Sequence, residues 1–167
     1  MDPTQTTPPL LDNTSADFIR HHVSINVASR DARNLPAVAR AFGCCVSADR
    51  RSVTVFLAPV RAATVIKNLR DNGAIAVAVS RPSTHESLQL KGVVTKIARV
   101  TETDREAIVA YLHSLAEELT DLGHEAVLIR SADLEVNEEC LAVTFEPDAA
   151  FVQTPGTQAG RRLETNT

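Results

Sequence analysis

Residues 87–100 read SLQLKGVVTKIARV, and their hydrophobic parity changes part-way along. Leu88 and Leu90 sit at even numbers, whereas Val93 and Ile97 sit at odd ones. Successive side chains of a strand point to opposite faces, so a one-residue phase change beside Gly92 predicts a β-bulge. A strand this long that bends once belongs in a curled sheet, because a flat sheet would leave its edges open. The same segment carries Ser87, Gln89 and Lys91 on one face. A hydroxyl, an amide and an ammonium in a row suit an anion as well as they suit water.

The neighbouring segments support an antiparallel sheet. His22–Ser29 alternates Val23, Ile25 and Val27 with smaller or polar residues, which predicts a strand. Cys44–Ser47 and Ser52–Ala58 flank the polar turn Ala48-Asp49-Arg50-Arg51, as in a hairpin. AIAVAV at 74–79 predicts a strand with one face of alanines, a face that a helix or a partner chain must approach closely. Leu141, Val143 and Phe145 alternate in a last strand that Pro147 is expected to end, with Phe151-Val152 as a short extension.

Three helices are predicted between these strands. In NLPAVARAF, Asn34 can cap, Pro36 suits a first turn, and Leu35, Val38, Ala39 and Phe42 share a helical face. Residues 60–72 place Ala63, Ile66 and Leu69 on one side and stop at Asn72-Gly73. Residues 103–122 carry the stripe Ile108, Leu112, Leu115, Leu119 and Leu122 behind a capping box of Thr103 and Glu106. Residues 126–129 fit either a short strand or a further turn. No βαβ rhythm is present, so a doubly wound sheet is not expected. The predicted class is mainly β (α+β). Its architecture is a six-stranded antiparallel split β-barrel with two or three outer helices, in one domain over residues 17–155. Residues 1–16, polar and proline-rich, read as a disordered arm, and residues 156–167 as a flexible tail.

Several functions are disfavoured by composition. The chain of 167 residues has a net charge of −4 and 4 % aromatics, without tryptophan, which argues against nucleic acid as a partner. No apolar run approaches a membrane span, and no basic start precedes an apolar block, so a cytoplasmic protein is expected. Cys44, Cys45 and Cys140 lack any CxxC spacing and read as small buried hydrophobes. The five histidines lack metal-site spacing, and neither GxSxG nor a glycine-rich phosphate loop occurs. Any phosphate must therefore be held by side chains. Arg61 and Lys67 on the second predicted helix, with Ser87, Gln89 and Lys91 on the bulged strand, are the candidates.

Three stretches together resemble the pyridoxamine 5′-phosphate oxidase-like family, the FMN-binding split barrels. They are SVTVFLAPVRAATVIKNLRDNG, AIAVAVSRPSTHESLQLKG and AVTFEPDAAFVQTPG, within residues 17–155. The resemblance implies a homodimer with two sites at its interface and a small-molecule ligand. It implies non-covalent FMN, with Arg61, Lys67, Ser87, Gln89 and Lys91 as cofactor-binding residues by position. It implies oxidoreductase-like chemistry carried by the flavin, with the substrate open. The family also holds haem-handling members and members without a cofactor, so haem or none is the alternative ligand. His85 and Glu86 stand where many relatives have an aromatic and a basic residue. A carboxylate beside a phosphate repels it, so Glu86 has to point elsewhere if FMN binds here.

Overall fold

The computed structural model describes residues 8–124 and 139–164. The undecided segment 126–129 lies outside them. Seven strands form one antiparallel sheet: β1 (Ser24–Arg30), β2 (Pro36–Arg40), β3 (Cys44–Val46), β4 (Val53–Leu57), β5 (Ala74–Ser80), β6 (Ser87–Arg99) and β7 (Leu141–Val152). Their order across the sheet is β2-β1-β5-β6-β7-β4-β3. Among the described residues three helices accompany them: α1 (Asn13–Phe18), α2 (Ala63–Asn72) and α3 (Glu102–Asp121). The class is thus mainly antiparallel sheet with helices, as expected, but the described residues form a seven-stranded sheet with β2 and β3 as its edges rather than a six-stranded barrel.

The seventh strand is β2, in the stretch expected to be a helix. Its residues pair with β1, Arg40 opposite Asn26 and Val38 opposite Ala28. Asn34 has a φ of 63°, a left-handed turn conformation rather than a helix cap. The Asp31 carboxylate closes that turn by accepting from the Arg33 amide (2.8 Å) and the Leu35 amide (2.9 Å). The supposed helical face is not buried as a unit: of Leu35, Val38, Ala39 and Phe42, only Ala39 and Phe42 are buried. Leu35 is 54 % and Val38 65 % exposed, while Ala39 is buried. That is a two-residue period on an outer strand, where Pro36 withholds no needed ladder bond.

The two ends of the sheet order, β2 and β3, are consecutive in the chain. Residues 41–43 carry it from one edge to the other. The Ala41 amide donates to the Ile25 carbonyl of β1 (3.0 Å), and the next amide, of Phe42, donates to the Phe56 carbonyl of β4 (2.9 Å). The sheet therefore curls until both edges meet the same short segment. Val27, Val77 and Leu90 of adjacent strands lie in register inside, with Val55, Phe56 and Phe145, all at most 1 % exposed.

The bulge at Gly92 is present, with register shifts in the β6–β7 ladder at Lys91/Gly92 and at Val94/Lys96. Lys91 pairs with Ala149 and Gly92 with Pro147, which leaves Asp148 as an extra residue on β7. Pro147 therefore does not end the last strand. It sits in the bulge, where no amide is required, and Phe151-Val152 completes the same strand.

α2 ends as expected, at Gly73 with a φ of 72°. α3 begins two residues earlier than its predicted box. Thr101, not Thr103, is the cap; it accepts from the Asp104 amide (3.2 Å), and Asp104 accepts in return from the Thr101 amide (2.7 Å). Of the predicted stripe, Ile108, Leu112 and Leu115 are buried, whereas Leu122 is 44 % exposed. α1 lies within the segment read as an arm. Asp12 caps it by accepting from the Ser15 amide (2.7 Å), and Leu11 beside it is fully buried. At the other end, the Leu163 amide donates to the Ala150 carbonyl (2.8 Å), so the start of the expected tail runs along β7.

Candidate functional site

Ser87, Gln89 and Lys91 share one face of β6, and the ladders on both sides define what surrounds them. Across β5 they oppose Ser80, Ala78 and Ala76. One strand further, on β1, the same rows continue to Ser24, Asn26 and Ala28. On the β7 side Gln89 opposes Phe151 and Lys91 opposes Ala149. The result is a shallow, small-residue surface on the outside of the sheet with a polar row along it.

Each member of the row is held differently. The Ser87 hydroxyl donates to the His85 carbonyl (2.9 Å) and lies 2.8 Å from the Ser80 hydroxyl. The Gln89 amide oxygen faces the Gln153 side-chain nitrogen at 3.5 Å. The Lys91 ammonium stands 5.3 Å from the centre of the Phe151 ring, a cation–π contact at an exposed position. Phe151 and Gln153 were not candidates from the sequence; only the β6–β7 register brings them beside the row.

The α2 candidates lie elsewhere. α2 packs on the opposite face, where Asn68 donates to the buried Ser29 hydroxyl (3.2 Å). Ser29 shares its face with Val27 and opposes Ile75, the side away from Lys91. Lys67 is exposed and paired with Asp71 at 3.2 Å. A cleft of about 300 Å³ runs beside it, lined in part by Pro59, Ile66 and Arg70. Arg61 lies exposed just before α2. One chain therefore gathers Ser87, Gln89 and Lys91, while the helix that carries Lys67 packs on the other face.

The loop into the row is tightly tied. The Arg81 amide donates to the Glu86 carbonyl and the His85 amide to the Arg81 carbonyl, both at 2.9 Å, with His85 at a φ of 59°. The Glu86 carboxylate lies 3.6 Å from the Arg81 guanidinium, which removes much of its repulsion toward an anion. The Ser83 amide donates to Glu118 of α3 (2.8 Å), and Glu118 is 9 % exposed. Burial pushes the Glu118 carboxyl up, but Ser83, Arg81 and His22 together hold it below its ordinary value of 4.5. A depressed carboxylate contributes stability above its ordinary value and loses it as pH falls through the folded value. Glu118→Ala is expected to cost about 0.5–1.5 kcal/mol, the net worth of one hydrogen bond, because water can reach the exposed Ser83 in its place. Glu118→Gln is expected to flatten the fall in melting temperature below pH 4.5; an unchanged pH profile would mean the carboxylate does not hold the loop.

The environments of Cys44 and Cys45 disfavour the thiolate. Cys44 donates from Sγ to the Ile19 carbonyl (2.9 Å), and burial pushes its thiol up to about 12. Burial, with Asp104, also raises Cys45.

No protein-family model matches the chain, and no curated protein matches it. Solved structures do. A candidate pyridoxamine 5′-phosphate oxidase from Lactobacillus delbrueckii aligns at a TM-score of 0.53 and 10 % identity, over 90 % of this chain and 99 % of that one. HupZ of Group A Streptococcus aligns at 0.51 and 16 % identity, over 90 % and 99 %. An F420 reductase aligns at 0.50 and 11 % identity, over 84 % and 98 %. Identities this low speak to the backbone alone. No helix among the described residues is long and apolar enough to cross a membrane. The chain has the fold of the pyridoxamine 5′-phosphate oxidase-like proteins.

Proposed function

We propose that the protein binds FMN as a homodimer and acts as an oxidoreductase-like protein on a small molecule. The observation that carries this reading is the β6 row. Ser87, Gln89 and Lys91 stand beside a flat surface of Ala76 and Ala78, with the Phe151 ring at one side. Lys91 suits a phosphate, Gln89 and Ser87 suit neutral polar atoms, and the alanines leave room for a planar ring. Bound there, FMN would supply hydride chemistry. The names of two fold neighbours, an F420 reductase and a candidate pyridoxamine 5′-phosphate oxidase, are those of redox enzymes and support such a ligand.

The second copy follows from the separation of the candidates. α2, which carries Lys67 and follows directly on Arg61, packs on the face opposite Lys91, and a second chain would let all five residues share one site. The small-residue face, with Ala28 and the 65 %-exposed Val38 on one row, gives a second copy a surface to approach closely. Arg61, Lys67 and Arg70 then supply charge toward the neighbouring row.

The deciding measurement is the visible spectrum of the purified protein, with and without added FMN. Flavin absorbance that co-elutes with a dimer is expected. Lys91→Ala should weaken FMN binding about 10- to 100-fold, the equivalent of one charge-assisted hydrogen bond. A colourless protein that takes up no FMN, or a stable monomer at micromolar concentration, defeats the reading.

A further inference from the structure

The two ends of the described chain meet over the β3–β4 turn. Residues 8–13, Arg50 and residues 161–164 line most of a cleft of about 580 Å³. Arg50, Arg161 and Arg162 stand in its wall against Asp12 and Glu164. That is a local excess of positive charge on a chain of net −4. Asp12 accepts from the Ser15 amide at 2.7 Å, which holds its carboxyl below the ordinary value and keeps it charged, so the excess is one positive charge.

Arg50 is the informative member. It holds a φ of 59° in a turn closed by its own amide on the Ser47 carbonyl (2.8 Å). Glycine fills such a position without strain, whereas a long side chain there costs stability. The side chain is moreover anchored. One terminal nitrogen donates to the Asn13 amide oxygen, while its Nε is buried with no acceptor among the described residues. A strained backbone that presents a half-sealed guanidinium is the mark of a residue kept for what it contacts.

The other two arginines are carried on ordered backbone. The Arg161 carbonyl accepts from the Val152 amide (2.9 Å), and Arg162 forms a bridge with Phe151. Arg162 also donates from Nη2 to the Asp148 carbonyl (3.2 Å). The cleft shares no lining residue with the β6 row.

We infer that this cleft binds a small ligand through a phosphate or diphosphate group, with Arg50, Arg161 and Arg162 as its donors. Guanidinium forks match phosphate oxygens in pairs, and Leu10 and Leu163 form an apolar wall for the rest of the ligand. The site does not depend on FMN binding at β6.

Sodium pyrophosphate titrated calorimetrically into the full chain tests it. One saturable event per chain is expected. Arg50→Gly and the double change Arg161→Ala, Arg162→Ala should each weaken it at least tenfold. Arg50→Gly relieves the turn, so its melting temperature should hold or rise while the ligand is lost, which separates binding from folding. Lys91→Ala should leave pyrophosphate affinity unchanged, and Arg50→Gly should leave FMN uptake unchanged. No saturable heat, equal affinity in the arginine variants, or a loss that follows Lys91→Ala overturns the assignment.

Discussion

Gly92→Ala is expected to destabilise the protein by about 3 kcal/mol, at the upper end for an overpacked core site. A methyl carbon added there would lie 2.1 Å from the Glu146 carbonyl oxygen and 3.1 Å from Cδ2 of Phe145. The first contact is with backbone, so no rotamer change relieves it; β6 and β7 must move apart at the bulge. For a chain of this size the melting temperature should fall by about 6–12 °C. Thermal and urea unfolding read the effect directly. A variant as stable as the parent would show that the two strands can separate here at no cost.

Phe145→Ala is expected to cost about 3–5 kcal/mol, the range for truncating a buried aromatic. Phe145 is fully buried and opposes Val53 on β4 and Val94 on β6, so its ring fills the space where two ladders of β7 meet. The two substitutions also form a useful pair. Removing the ring clears only the 3.1 Å contact and leaves the 2.1 Å contact with the carbonyl oxygen. Gly92→Ala should therefore remain nearly as costly in a Phe145→Ala background, with a small coupling energy. A large rescue would place the strain in the side chain rather than in the paired backbones.

Much of the fold was legible because local pattern and tertiary role agree. β1 and β5 alternate in sequence and in burial, and Gly92 marks a bulge, although its extra residue is Asp148 on β7 and the parity of β6 itself changes at Thr95, between the inward Val94 and Ile97. The misreadings have separate causes. Leu35, Val38, Ala39 and Phe42 have helical spacing by coincidence, and the Asp31 turn that starts strand β2 through Val38 and Ala39 depends on a left-handed Asn34. Thr101-Glu102-Thr103-Asp104 offers two caps two residues apart, and the reciprocal bonds with Asp104 are made by Thr101. Pro147 looks like a terminator until Gly92, more than fifty residues away, is seen to pair with it.

For the candidate site, alternation along β6 is a local property, so the row of Ser87, Gln89 and Lys91 could be read directly. Which face α2 covers is not local. It follows from Asn68 meeting Ser29 on β1, and that contact decides that the helix carrying Lys67 packs on the face opposite Lys91. Phe151 and Gln153 gain their place beside the row from a ladder that joins distant segments.

The position of β7 has a consequence for how the protein is made. It is the last strand in the chain, yet it lies between β6 and β4 and is their only link across the sheet. Until residues 141–152 leave the ribosome, the β2-β1-β5-β6 portion and the β4-β3 hairpin have no shared ladder. The longest strand, β6, then waits with one flank unpaired, open to other chains. Synthesis beyond α3 is thus the interval of greatest exposure, and a chain released before residue 141 would present two raw strand flanks, β6 and β4, in place of a sealed sheet.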